Sequence, residues 1–375
     1  MAGLLVWISI AIVVYTYLGY PVLLWLLRPF LTRPVRKGAI EPSVTIVVPA
    51  HNEAAVIAEK IDNLLALDYP ADKLDLIVVS DGSTDGTIEA ASARISDRGA
   101  GSRARLIAHT ENRGKMAALN AGVEAARGEI VVFSDAAAML SADAIRQLVA
   151  NYADPEVGAA GGVYRVDAPD AARTGAQEDL YWKYETFLKR QEASLASVLG
   201  THGQISSVRR ALYPFPPETT INDDYVIPTR VLQRGHRVAY EPAAVVYEHA
   251  GEMAGFGRRV RIARGNVQQL GDITAFLHPF RPLLLLFFIS HKLLRVVVPF
   301  AMVAAAGANL ALLSAPGYRA LAALQAVFYL MAAAGAAIRL QPKVLRLPTY
   351  FCMINAAILV AVAGSLSGRR RVAWS

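Results

Sequence analysis

The stretch Ile130-Val131-Val132-Phe133-Ser134-Asp135-Ala136-Ala137-Ala138 reads as a short apolar β-strand that stops on a carboxylate. Open α/β sheets bind ligands beyond the carboxyl ends of their strands, which makes Asp135 a candidate ligand group. Asp is also a favoured helix N-cap, and a helix could follow over residues 141–150. The stretch alone leaves both readings open.

Upstream, Val44-Thr45-Ile46-Val47-Val48 is a β-branched buried strand closed by Pro49, and helical spacing follows over residues 53–67. A second strand, Leu74-Asp75-Leu76-Ile77-Val78-Val79-Ser80, ends at Asp81-Gly82-Ser83-Thr84-Asp85-Gly86. Strand, helix and strand with short links predict a parallel βαβ unit. A weaker third strand around residues 105–108 leads into Asn112-Arg113-Gly114-Lys115 and a helix to Ala126, so the opening stretch is the fourth strand of a Rossmann-like sheet. Three of the four strands end on candidate ligand groups: His51, Asn52 and Glu53; Asp81; and Asp135. Several such groups at one edge of a parallel sheet form a single crevice. Asp85 reads instead as a turn residue or cap for the helix that begins near Thr87.

The 375 residues are 54% hydrophobic and 18% charged, apolar for a soluble protein and polar for a pure membrane bundle. Residues 4–27 form an uncharged apolar run, and a bilayer crossing takes roughly 20 helical residues. Without a basic leading region it reads as an anchor rather than a cleaved signal. Arg28, Arg33, Arg36 and Lys37 follow, and the positive-inside rule predicts a cytosolic domain after them. Net charge is +7, yet many basic residues, such as Arg258-Arg259-Val260-Arg261, adjoin apolar segments; this favours membrane lipids over nucleic acid as the partner. The only cysteine, Cys352, excludes an intrachain disulfide or a cysteine-based zinc site.

Beyond Asp135, strands are expected over residues 157–164 and 203–208, with a long amphipathic helix over 177–197 between them. Its Tyr181, Trp182, Tyr184 and Phe187 read as a core stripe. After the loop of Pro214, Pro216 and Pro217, Asn222-Asp223-Asp224 opens a helix stopped by Gly235. Paired carboxylates suit a helix N-terminus by the macrodipole alone, so they signal chemistry or a cap equally well. One or two strands close the domain over residues 237–246, ending at Tyr247-Glu248-His249. A basic amphipathic helix is expected over 255–270, an interfacial segment up to Arg295, and three further apolar segments over 296–315, 321–338 and 350–366. The organisation expected is an N-terminal transmembrane helix with its basic flank (1–37), a cytosolic catalytic domain (38–254), interfacial helices (255–295) and C-terminal transmembrane segments (296–375), the last of which could be re-entrant.

Taken together, the segment from Thr45 through Pro49-Ala50-His51-Asn52-Glu53, the Asp81–Thr87 loop, Asn112-Arg113-Gly114-Lys115 with Ala118-Leu119-Asn120, and the strand to Asp135 resemble the family 2 glycosyltransferases. The resemblance spans roughly residues 43–270 and extends to the membrane-embedded branch that includes bacterial cellulose and hyaluronan synthases. It implies the α/β GT-A fold, a Rossmann-like mixed sheet with helices on both faces, and inverting transfer from a nucleotide sugar, with UDP as the expected nucleotide. Pro49, Asn52, Glu53 and Asp81 fall where the family holds base and ribose, with Lys115 on base or phosphate. Asp135 matches the first acid of an Asp-x-Asp, which works at ribose, diphosphate and a divalent Mg²⁺ or Mn²⁺, with His249 as a further metal ligand. Asp224, beside Asp223, matches the catalytic base. Arg258 and Arg261 fall on the helix that meets diphosphate and acceptor.

Two positions depart from the pattern. Ala137 stands where the family has its second acid, and Ile262 and Arg258 replace the Trp and Gln of a Gln-x-x-Arg-Trp motif. The first removes a usual metal ligand; the second removes an aromatic face for the acceptor sugar. Growth of an exopolysaccharide, with possible polysaccharide-synthesis partners, therefore competes with addition of one sugar to a lipid-linked acceptor. Readings from other classes are a nucleotidyltransferase and a non-catalytic nucleotide-sugar sensor. A transporter is disfavoured, since the apolar segments carry few ionisable groups, Arg295 being the main one.

Overall fold

A computed structural model describes residues 1–166, 176–248, 256–277, 281–338 and 342–366. The chain divides into two units. The larger one, Leu31–Gly175 with Trp182–Glu252, holds an eight-stranded sheet. Its strands are β1 (Val44–Ala50), β2 (Leu74–Asp81), β3 (Ala104–His109), β4 (Ile130–Phe133), β5 (Met139–Leu140), β6 (Val157–Val166), β7 (Ser206–Arg209) and β8 (Arg237–Glu248). The order is β3-β2-β1-β4-β7-β6-β8-β5. β1 pairs in parallel with β2 and β4, and β2 with β3, as the strand–helix alternation predicts. β7 then runs antiparallel to both β4 and β6 and makes the sheet mixed.

The central strands are continuous apolar runs because both faces are covered: every residue of β1 and β4 is buried. Helix Lys115–Ala125 approaches β1 so closely that a Cβ on Gly122 would lie 2.3 Å from Val47 Cγ1. Register puts Val47 beside Ile77 on one side and Phe133 on the other, so β1, β2 and β4 end at one edge.

Three local expectations are corrected. The strand expected over residues 203–208 forms over Ser206–Arg209, because residues 202–205 close a turn, Ile205 N donating to His202 O at 3.2 Å, after Thr201 N reaches Asp224 O. The helix after Asp135 begins only at Ala144, with Asp143 in the N-cap place, so the cap reading of Asp135 fails. On helix Ala176–Leu195 the expected aromatic core stripe is absent where side chains are described: Phe187 is 38% exposed and Tyr184 half-buried, whereas Glu185, Lys189 and Glu192 are buried. The buried lysine satisfies a backbone carbonyl, Lys189 Nζ donating to Thr201 O at 2.6 Å, so this face is hydrogen-bonded rather than apolar. Tyr181 and Trp182 have side chains outside the described set.

The basic flank also takes on a second duty. Arg33 pairs with Glu156, Arg36 with Asp154 and Lys37 with Glu241, while Arg237 donates to Arg33 O at 2.6 Å. Asp154 and Glu241 are buried, so the segment leading into β1 is strapped to the domain by charge.

The other unit comprises Met1–Phe30, Ala176–Tyr181 and Met253–Arg370. Among the described residues, four helices are long and apolar enough to cross a membrane: Ala2–Leu31, Pro282–Leu310, Pro316–Ala337 and Val344–Leu366. The second runs unbroken past Arg295, where the sequence reading separates an interfacial from a spanning segment. Both of the first two contain a π-turn, Tyr15–Gly19 and Phe288–Leu293, and these meet through Tyr15 Oη and Ser290 Oγ at 2.8 Å. The basic helix Phe256–Gln269 packs Val260 and Ala263 against Ala357, Ile358 and Ala361. Arg258 on it is half-buried and Arg261 exposed, and Arg259 lies 5.2 Å from the centre of the Tyr350 ring.

Candidate active site

The carboxyl ends of β1 and β2 and the loop after β3 build a polar cradle around Asp81. Its carboxylate is fully buried and accepts backbone N–H bonds from Arg113 (3.1 Å) and Gly114 (2.7 Å), with the His109 ring at 3.0 Å. Gly82, at φ +64°, lets the two loops touch: a Cβ there would lie 2.4 Å from Asn112 N. Asp81 thus holds the Asn112–Lys115 turn in place.

The chain leaving β1 is keyed to the same loop. His51 Nδ1 lies 2.7 Å from Asp81 O, so this nitrogen carries the proton, and Nε2 faces the Asn112 amide at 3.2 Å. Asn52, in the left-handed region at φ 58°, accepts from Thr84 N at 2.8 Å, and Glu53 N donates to Thr87 Oγ1 at 2.8 Å. Non-glycine residues adopt this backbone where surrounding contacts over-determine it, a frequent property of ligand clamps. Asp85 behaves as the turn residue expected: the Thr87 hydroxyl above all, with Ala54 N and Thr87 N, donates to its carboxylate and holds that carboxyl below the usual range. Pro49 is buried at the end of β1 opposite Val79.

Immediately after Gly114, Lys115 opens the helix Lys115–Ala125 and gathers the acids. Its Nζ is 2.8 Å from Asp135 Oδ1 and 3.4 Å from Asp223 Oδ2. Burial alone would depress its pKa, but Asp135, Asp223 and Asp224 together raise it, so it is a fixed cation. Asp223 is 8% exposed; burial pushes its carboxyl up to about 6, opposed by Lys115 and aided by Asp224 and Asp135. Asp224 is more open. Its backbone carbonyl accepts from Thr201 N at 2.8 Å, and Gly203 faces both Asp224 and Lys115.

Of the sequence-predicted residues, Asn52, Glu53 and Asp81 thus belong to one cradle, and Lys115, Asp135, Asp223 and Asp224 to an adjoining charge cluster. Arg258 and Arg261 are described in the other unit, and His249 lies outside the described residues. The cluster does not by itself make a metal site. Among the described residues no three His, Cys, Asp or Glu side chains gather to hold an ion, Ala137 offers no ligand, and Lys115 engages one oxygen of Asp135. Sequence reading missed His109, Thr201 and Gly203, which carry no motif. It also missed Lys60, detectable as a lysine on the buried face of helix Ile57–Leu65.

Residues 45–213 match the family description "Glycosyl transferase family 2". The poly-beta-1,6-N-acetyl-D-glucosamine synthase of Staphylococcus aureus (strain COL) is 27% identical over 233 residues, covering 60% of this chain and 55% of that one. A probable glycosyltransferase of Bacillus subtilis (strain 168), YdaM, shows the same identity over 239 residues. The chain therefore spans about half the length of the curated relatives it matches. A mannosyltransferase from Pyrobaculum calidifontis, solved with GDP-Man and Mn²⁺, superposes with a TM-score of 0.75 at 28% identity, covering 97% of this chain and 99% of that one.

Proposed function

We propose that the chain is a hexosyltransferase that transfers a sugar, with inversion, from a nucleotide donor to a growing exopolysaccharide at a membrane; the match of residues 45–213 to the glycosyl transferase family 2 description and the two relatives support this reading. The observation that carries this reading is the Lys115 ammonium set between Asp135 and Asp223. It joins a strand-end carboxylate of a nucleotide-binding edge to a carboxylate pair suited to general base work.

In this reading the Asp81 cradle and Asn52–Glu53 receive the nucleoside. Asp224, the more open of its pair, takes the proton of the acceptor hydroxyl as that oxygen bonds to the donor sugar's C1. The C1–O bond to the diphosphate breaks from the opposite side, and the leaving nucleoside diphosphate takes the electron pair. Lys115 meets the charge developing there, the electrostatic contribution that dominates many such reactions. A divalent ion, as in the mannosyltransferase solved with Mn²⁺, would have Asp135 and His249 as protein ligands and would add Lewis-acid stabilisation of the diphosphate. UDP is the expected nucleotide, and the positive-inside rule applied to Arg28, Arg33, Arg36 and Lys37 orients the domain to the cytosol.

The test is Asp224→Asn, with nucleoside diphosphate release measured over a panel of nucleotide sugars. A loss of about 10²–10⁴-fold with donor binding retained is expected; near wild-type transfer overturns the base assignment. A second reading is single-sugar transfer to a lipid-linked acceptor, and within it the near full-length match to the mannosyltransferase solved with GDP-Man favours a GDP-linked donor. Sizing radiolabelled product separates the two, since a processive enzyme makes long chains early.

A further inference from the structure

Lys60 lies on the helix after β1 and is fully buried. Its ammonium donates to Ser134 Oγ at 2.7 Å and to Ala138 O. These two residues flank Asp135-Ala136-Ala137, and the turn between them closes through Ala138 N to Asp135 O at 3.2 Å. Ser134, itself 1% exposed, donates its own hydroxyl hydrogen bond to Gln204 O at 3.1 Å, next to the Gly203 that faces Asp224. One turn along the same helix face, Asn63 clasps Leu140 in both directions at 2.9 Å.

Placing an ammonium in a protein interior is costly unless it is hydrogen-bonded, so one held this way marks a backbone that must not move. Ala136 and Ala137, between the two fastened ends, have no polar side chain with which to hold the turn themselves. We propose that Lys60 is the positioning residue of the donor turn: from inside the domain its ammonium fastens both ends of Ser134–Ala138, aims Asp135 at Lys115, and through Ser134 ties that turn to the loop beside Asp224. The assignment rests on the glycosyltransferase reading only for its catalytic consequence.

The experiment compares wild type, Lys60→Met, Asp135→Asn and the double variant in the full-length protein, by nucleoside diphosphate release and by amide hydrogen exchange. Lys60→Met is expected to slow transfer about 10- to 100-fold, the range a misplacement of about 1 Å produces. In the Asp135→Asn background it should cause little further loss. Exchange should rise at residues 134–138 and stay unchanged in β1. Equal losses in both backgrounds would assign Lys60 a general structural duty and overturn the proposal, as would unchanged exchange at the turn. Where Met prevents folding, Lys60→Gln, which keeps an N–H donor, carries the comparison. If wild type releases no diphosphate from any donor, the functional reading fails, and the exchange measurement still decides whether Lys60 holds the turn.

Discussion

Lys115 Nζ stands 2.8 Å from Asp135 Oδ1, so the cation that opens one helix closes on the acid two residues beyond the end of β4. Neither residue is far from water, yet each limits the other's freedom. Lys115→Met should weaken nucleotide-sugar binding by about 1.5–3 kcal/mol, the cost of losing a hydrogen bond to a charged group. Titration calorimetry with the donor measures it; binding within twofold of wild type would remove Lys115 from the donor site.

Transfer should fall on the acid side with an apparent pKa of about 6, as Asp223 takes up a proton and its pairing with Lys115 is lost. Asp223→Asn should abolish that limb of the pH profile, and Lys115→Met should move it to higher pH, because the opposing cation is gone. An unchanged limb in both variants would place the titration elsewhere.

The same residue carries a stability consequence. Asp223 holds its proton to higher pH when folded than the 3.8 of an ordinary Asp, so its favourable contribution is complete below 3.8 and is lost as pH rises through about 6. At pH 8 Asp223→Asn should therefore raise the unfolding free energy, by at most about 3 kcal/mol, while transfer falls. Denaturant titration at pH 5 and pH 8 checks the sign: the gain should shrink at the lower pH.

Asp81→Asn should loosen the Asn112–Lys115 turn, since an amide cannot accept from Arg113 N, Gly114 N and His109 as a carboxylate does. A loss of about 1.5–3 kcal/mol is expected for hydrogen bonds to a charged group, together with weaker donor binding. Denaturant unfolding and calorimetry read the two effects separately.

Gly82→Ala tests the same contact from the other side. The new methyl would meet Asn112 N and the backbone at φ +64° would be strained, costing about 1–3 kcal/mol. Donor affinity should drop while the far strands β6 and β8 keep their exchange protection.

The strand–helix alternation and the β-branched runs at 44–48, 74–79 and 130–133 determined the parallel half of the sheet, because strands buried on both faces read as near-continuous apolar runs and the links between them are too short for any other order. The acids at the strand ends were legible for the same reason: polar groups closing buried strands have only the sheet edge to occupy. What tertiary structure decided is how those groups are used. Asp81 turns inward to fasten a loop that lies about thirty residues on, a contact that no local pattern encodes. Lys60 and Lys189 break the apolar rule for buried faces because distant carbonyls, Ala138 O and Thr201 O, receive them. Helical periodicity marks which face is buried but not what covers it, and here the cover is hydrogen-bonding backbone from elsewhere in the chain.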